Sequence, residues 1–266
     1  MSHERRSVSG RLAGVRVLVT RPVEQAGALA RMIEAEGGVA IVSPVLAIER
    51  VPDLARIREA IGPISRYDLA VFVSRNAVAH GTALLAGAPG DKPRVAAIGP
   101  STAGALEDAG LRVSIRPRAG YTSEALLAEP VLQSLRGRCI LIVRGRGGRE
   151  LLADTLAARG AEIVYAEVYE RRPVDAHARE LIARWRSEGY DLATALSIET
   201  LEALLAQLGP AADELLARTA LVTASARVIK RAAALGLPDA VSADGPDDRA
   251  LLEAMIAWAR LRGVCR

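Results

Sequence analysis

The clearest apolar pattern near the start of the chain is Val15-Arg16-Val17-Leu18-Val19-Thr20, a short β-branched run that reads as a buried strand. Arg21-Pro22 ends it. Residues 24–36 then carry Ala28, Leu29, Met32 and Ile33 at helical spacing, and Gly37-Gly38 stops that helix. Val39-Ala40-Ile41-Val42 is a second strand. A strand, helix and strand within about thirty residues predict a parallel sheet.

The same order returns further on. Residues 138–143 form a strand, 145–148 a turn, 149–159 a helix and 161–168 a strand. A second module follows in both places. Strands over 67–73 and 190–196 each end at a serine, and helices over 76–85 and 199–208 come next. Third strands lie at 94–98 and 220–223, helices at 101–109 and 226–235, and short last strands at 112–115 and 239–242. Each half closes with a helix starting near Thr122-Ser123-Glu124 or Asp247-Asp248. The repetition is visible residue by residue. Arg21 and Arg144, Gly37 and Gly160, Ser74 and Ser197, and Tyr67-Asp68-Leu69-Ala70 and Tyr190-Asp191-Leu192-Ala193 all lie 123 positions apart. A duplication of this size predicts two similar domains with a ligand site in the cleft between them. Spacing alone does not say which strand belongs to which lobe. Pro44, Pro52, Pro63 and Pro173 mark the expected crossing segments.

Composition narrows the function classes. Half of the 266 residues are hydrophobic, enough for two cores, and only 3% are aromatic, so the cores are aliphatic and no base-stacking platform is expected. The net charge is +4, and Lys92 and Lys230 are the only lysines, the remaining basic residues being arginine. Arginine's planar fork suits carboxylate and phosphate, although GC-rich coding gives the same bias. No basic run suggests nucleic acid. Cys139 and Cys265 make no disulfide framework, and a buried thiol is expected for Cys139. His3, His80 and His177 lack metal-ligand spacing, so no metal is expected. The polar start MSHERRSVSGRL lacks a signal-peptide core, and no apolar run approaches the ~20 residues of a membrane span. A cytoplasmic protein without membrane contact is expected.

In parallel sheets ligands sit beyond the carboxyl ends of the strands. This singles out Arg21, Ser74, Asn76, Gly99, Ser101, Thr102, Arg144, Gly145, Ser197, Thr200 and Ser225. Ser74 and Ser197 stand at strand-to-helix junctions, where a serine caps the helix and the amides beyond it can meet an anion. The Gly99-Pro100-Ser101-Thr102 turn and the arginine-rich turn 144–149 match neither the P-loop nor the dinucleotide fingerprint. No serine, cysteine or paired-carboxylate catalytic set is present. Tyr169 is the best single candidate for a polar catalytic group, and it breaks the internal symmetry, since its counterpart is Leu46. Taken by themselves, these residues fit an enzyme that orients a reactive substrate. They also fit a two-lobed binder of a small anion that closes without chemistry.

Several stretches together resemble the uroporphyrinogen-III synthase family. They are Val17-Leu18-Val19-Thr20-Arg21-Pro22, Phe72-Val73-Ser74-Arg75-Asn76-Ala77-Val78, Ala97-Ile98-Gly99-Pro100-Ser101-Thr102-Ala103, Gly120-Tyr121-Thr122-Ser123-Glu124-Ala125-Leu126-Leu127, Arg144-Gly145 with Gly148-Arg149-Glu150-Leu151, and Val168-Tyr169. The resemblance implies two similar parallel-sheet α/β domains, flavodoxin-like lobes joined by a two-segment linker. One lobe would be 1–45 with 171–266 and the other 46–170, with the active-site cleft between them. It implies a hydro-lyase of haem biosynthesis that cyclises linear hydroxymethylbilane to uroporphyrinogen III, removing the terminal hydroxyl as water and inverting the last pyrrole ring. It also implies no cofactor, a monomer, and at most transient contact with neighbouring pathway enzymes. Tyr169 matches the family tyrosine suggested to assist departure of the hydroxyl. The last module departs from the family's Gly-x-x-Thr turn, with Ser225 and Val228 at those positions, so Ser225 and Arg227 are the expected substitutes there.

Overall fold

The computed structural model describes residues 10–86, 93–148, 150–174, 177–237 and 240–263. His3, Lys92, Arg149, Cys265 and the start of the expected strand at 239 lie outside them.

The chain divides into two compact units, residues 1–47 with 172–266, and residues 48–171. The first unit holds β1 (Arg16–Val19), α1 (Val23–Ala35) and β2 (Val39–Val42). β3 (Leu46–Arg50) leads into the second unit, followed there by α2 (Leu54–Ile61), β4 (Leu69–Phe72), α3 (Arg75–Gly81), β5 (Arg94–Ala97), α4 (Pro100–Asp108), β6 (Val113–Ile115), α5 (Ser123–Leu127), β7 (Cys139–Gly145) and α6 (Leu151–Ala158). β8 (Glu162–Pro173) carries the chain back. The first unit is completed by α7 (Ala178–Glu188), β9 (Leu192–Thr194), α8 (Ile198–Leu208), α9 (Ala212–Leu216), β10 (Ala220–Thr223), α10 (Ala226–Ala234), β11 (Val241–Ser242) and α11 (Asp248–Leu261).

The sheet of the first unit has the order β11-β10-β9-β1-β2, all parallel. The other sheet has the order β3-β8-β7-β4-β5-β6, parallel from β8 to β6. With β3 set aside, the two orders are the same once β7 is matched to β1, β8 to β2 and β4 to β9. That common order, 2-1-3-4-5, is the flavodoxin-like doubly wound one. Each sheet is therefore built from strands of both sequence copies. The register agrees as well: Val17 pairs with Leu192 and Ile140 with Leu69, the same positions shifted by the repeat.

Both faces of each sheet are covered, which explains why its central strands are apolar without alternation. In the first unit Val17, Val19 and Val222 face α1 and α11, with Ile33, Leu251 and Met255. Leu18, Ala193 and Leu221 face the opposite layer, with Trp185, Leu201 and Leu204. In the second unit Ala70, Phe72, Leu141 and Val143 pack with Val78 and Leu106. Leu69, Val71, Ile140 and Ile142 pack with Leu126, Leu152 and Leu156. The expected buried thiol is there: Cys139 is buried, and burial pushes its thiol pKa up.

Four elements depart from the sequence reading, the short α9 between the expected helix at 199–208 and strand at 220–223 among them. β3 and α2 occupy the stretch between Pro44 and Pro63 that reads as a bare crossing segment. Asp53 accepts from the Arg56 amide and starts α2 just after Pro52. α7 is hidden by its polarity, because its buried face is only Leu181 and Trp185, four residues apart. Among the described residues no helix is long and apolar enough to cross a membrane.

Candidate active site

A doubly wound sheet reverses its winding where the first and third strands of the order meet. There the carboxyl ends of adjacent strands leave a crevice. In the second unit these strands are β7, which ends at Arg144-Gly145, and β4, which is followed by Val73-Ser74. Ser74 is extended, and its hydroxyl accepts from the Ala77 amide at 3.1 Å, capping α3. The same hydroxyl lies 3.0 Å from the phenol oxygen of Tyr169.

Tyr169 is carried by β8, the neighbour of β7. The β7–β8 register shifts between Arg144 and Gly145, so that Arg144 pairs with Glu167 and Gly145 with Tyr169. Irregularities of this kind re-aim a side chain. The phenol ring lies against Gly145: a β-carbon there would stand 2.6 Å from two ring atoms. Tyr169 is only 1% exposed. Arg171, two residues on and so on the same face of the strand, donates from Nη2 to the phenol oxygen at 3.2 Å, with its guanidinium carbon 5.4 Å from the ring centre. His80 of α3 completes the surroundings, its ring 6.0 Å from that of Tyr169.

Arg21 and Arg144, expected from their positions to hold carboxylates, are buried and engaged within their own units. Arg21 donates to Asp248 and, at 3.1 Å, to the Pro246 carbonyl, holding the start of α11. Arg144 donates to the carbonyls of Gly145 and Gly147 and to Glu150, and lies over the Tyr165 ring at 4.7 Å. Tyr165 donates to the same Glu150. That bond lowers the carboxyl pKa of Glu150, and burial, more than the bond, pushes the Tyr165 phenol up to about 12. Both arginines thus brace the turn that follows a first strand.

The remaining expected residues occupy similar places in each unit. Gly99 opens α4 with extended backbone, followed by an exposed Ser101 and a buried Thr102. Asn76 is half-buried in the first turn of α3. In the first unit Ser197 caps α8, accepting from the Thr200 amide at 3.1 Å and lying 2.9 Å from the Thr200 hydroxyl. Ser225 precedes α10 without capping it, its amide donating instead to Thr223 Oγ1 at 3.1 Å. Arg227 is exposed, whereas Val228 is fully buried in the core. The structure thus gathers Ser74, Gly145 and Tyr169 into one cluster, with Arg144 and Asn76 as their chain neighbours, and sets the others at different strand ends. The sequence reading does not single out Arg171 or His80 as site residues. The two-residue spacing from Tyr169 along a strand is the signal for Arg171; nothing in the spacing points to His80.

Among the described residues no three histidine, cysteine, aspartate or glutamate side chains gather as a metal site would require. The family model for uroporphyrinogen-III synthase HemD matches residues 27–253. The chain belongs to the uroporphyrinogen-III synthase family. It is 32% identical over 243 residues to the uroporphyrinogen-III synthase of Escherichia coli strain K12, covering 90% of this chain and 99% of that one. It is 35% identical over 244 residues to that of Salmonella typhimurium strain LT2, with the same coverages. A mutant uroporphyrinogen III synthase from Thermus thermophilus superposes with a TM-score of 0.66 at 20% identity, covering 94% of this chain and all of that one. The uroporphyrinogen-III synthetase of Helicobacter pylori 26695 gives 0.62 at 15%, with 92% and 99% covered. These two likenesses establish the shared fold, and the sequence relatives establish the family. Membership in the uroporphyrinogen-III synthase family makes the chain an enzyme, a cyclising lyase of tetrapyrrole biosynthesis, and disfavours a binder without chemistry.

Proposed function

We propose that the protein converts linear hydroxymethylbilane into uroporphyrinogen III, releasing the terminal hydroxyl as water, inverting the last pyrrole ring and closing the macrocycle. The observation that carries this reading is the Ser74–Tyr169 hydroxyl pair seated on Gly145 at the switch point of the second unit. A hydroxymethyl group on an electron-rich pyrrole departs readily, so a weak acid suffices. The larger task is to hold the chain of rings so that the correct carbon closes. Tyr169 is the source of the proton for the departing hydroxyl.

The substrate carries eight carboxylates. We assign them to the backbone donors of Gly99 and Ser101 at the start of α4 and to the hydroxyls of Thr102, Ser197 and Thr200. The side chains of Asn76, Ser225 and Arg227 add to them. Arg21, Arg144 and Gly145 keep the neighbouring turns in shape. No metal or organic cofactor takes part. The protein works as a cytoplasmic monomer and meets neighbouring pathway enzymes only transiently.

Isomer analysis tests the reading. Hydroxymethylbilane is generated in situ by its upstream deaminase, the protein is added, and the oxidised products are separated by chromatography. Predominantly type III uroporphyrin is expected. Type I alone from folded protein, as without the protein, would overturn it.

A further inference from the structure

Tyr169 is 1% exposed, so its phenol does not itself reach a substrate, whereas Ser74 is only half-buried. We propose that Ser74 is the group that hands the proton to the departing hydroxyl, with Tyr169 as the buried relay behind it and Arg171 as its positioning residue. This rests on the synthase reading and refines it.

The direction of the relay follows from counting donors. The Ala77 amide can only donate, and it donates to Ser74 Oγ at 3.1 Å. The Arg171 guanidinium can only donate, and it donates to the Tyr169 oxygen at 3.2 Å. Between these two donors stand two hydroxyls 3.0 Å apart with two hydrogens. One hydrogen lies between the oxygens, and the other must point away from the pair. If Ser74 donated inward, the spare hydrogen would belong to the buried phenol. If Tyr169 donates to Ser74, the spare hydrogen belongs to the half-buried serine. The second arrangement is the one that leaves no buried donor to satisfy.

In the reaction the bond between the terminal methylene carbon and its hydroxyl oxygen breaks, and the electron pair leaves with oxygen. Ser74 supplies the proton that makes it water, and Tyr169 replaces the serine proton. Arg171 faces the phenolate so formed. When the new carbon–carbon bond closes, the ring carbon loses a proton as the pyrrole regains aromaticity. That proton restores Tyr169 through Ser74, so the balance is one water released. The counterpart serine, Ser197, stands 123 positions on, but the counterparts of Tyr169 and Arg171 are Leu46 and Ile48. The relay exists in one unit only.

The test uses Ser74→Asn, Tyr169→Phe, their double variant, Arg171→Ala and Arg171→Lys, with type III formation and its solvent isotope effect as readouts. Asparagine still caps a helix but passes no proton. Ser74→Asn and Tyr169→Phe are each expected to lose on the order of 100-fold in kcat, and the double variant no more than either alone. Arg171→Lys is expected to recover most of what Arg171→Ala loses, because one donor suffices. Losses that multiply in the double variant, full activity in Ser74→Asn, or no recovery by lysine would overturn the relay. Unaltered protein that makes only type I product would instead remove the synthase reading beneath it.

Discussion

The carboxylate of Asp191 accepts a hydrogen bond from the backbone N–H of Arg16, 175 positions earlier, at 2.8 Å. The same bond recurs between Asp68 and the amide of Cys139 at 3.0 Å. In each unit an aspartate just before the third strand of the order pins the amide that opens the first strand. The preceding tyrosine, Tyr67 or Tyr190, is buried beneath it. The repeated Tyr-Asp-Leu-Ala segment is therefore a device for joining strands contributed by the two sequence copies. Asp191→Ala leaves a part-buried amide without its acceptor and is expected to cost about 1–3 kcal/mol. Asp191→Asn, which keeps an oxygen acceptor, should cost less. Urea unfolding midpoints measure both, and an unchanged midpoint for the alanine variant would contradict the pin.

Gly145 has no room for a side chain. A β-carbon would come within 2.6 Å of the Tyr169 ring, which is buried and backed by the core that holds Phe72, Val143 and Val168. Gly145→Ala must displace the phenol from Ser74 or strain β7, at a cost of about 1–3 kcal/mol. The expected signature is a loss of type III formation well beyond what the stability loss explains. A variant that folds and keeps full activity would show that the ring's position is immaterial.

Much of this fold is legible in the sequence. The 123-residue offset carries the succession of strands and helices, the helix caps at Ser74 and Ser197, and the candidate strand ends, because period and punctuation are local properties. The assignment of strands to lobes is not legible from spacing. β1 could pair with β4 of its own copy or with β9 of the other at the same offset, and it pairs with β9. The contacts of Arg21 and Arg144 within the fold are not legible for a similar reason. Their positions beyond strand ends suggest ligands, but only the folded turns show Asp248, Pro246, Gly147 and Glu150 waiting for their guanidinium groups. Tyr169 stands out because it breaks the repeat. Arg171 breaks it just as clearly, but its part depends on the ring two residues before it.

Tyr165 gives a pH signature separate from catalysis. Burial and its bond to Glu150 raise its phenol to about 12, above the ordinary value of 10. A raised tyrosine stabilises the fold fully below pH 10, where the phenol is protonated in both states. As pH rises from 10 to 12 the unfolded chain ionises first, and the contribution is lost. Tyr165→Phe should therefore be less sensitive to alkali than the unaltered protein across that window. The difference between their titrations at ~295 nm should reveal a phenol titrating near the top of it. If the transition lost in Tyr165→Phe is centred at pH 10, Glu150 and burial do not hold the phenol.

Ser74 and Ser197 offer a comparison in which each controls for the other. Both cap the helix after a third strand with the same geometry, accepting from the amide three residues on at 3.1 Å. Ser74→Ala and Ser197→Ala should therefore lose similar stability, about 1 kcal/mol each. They differ in what the hydroxyl meets next. Ser74 meets the Tyr169 phenol at 3.0 Å, and Ser197 meets the Thr200 hydroxyl at 2.9 Å. If the chemistry belongs to the second unit and the first mainly holds carboxylates, Ser74→Ala lowers kcat. Ser197→Ala then raises KM severalfold with kcat nearly kept, the mark of a contact equal in ground and transition states. Steady-state kinetics of type III formation separate the two. Equal falls in kcat would mean that the two serines act alike, and would remove the asymmetry that Tyr169 and Leu46 imply.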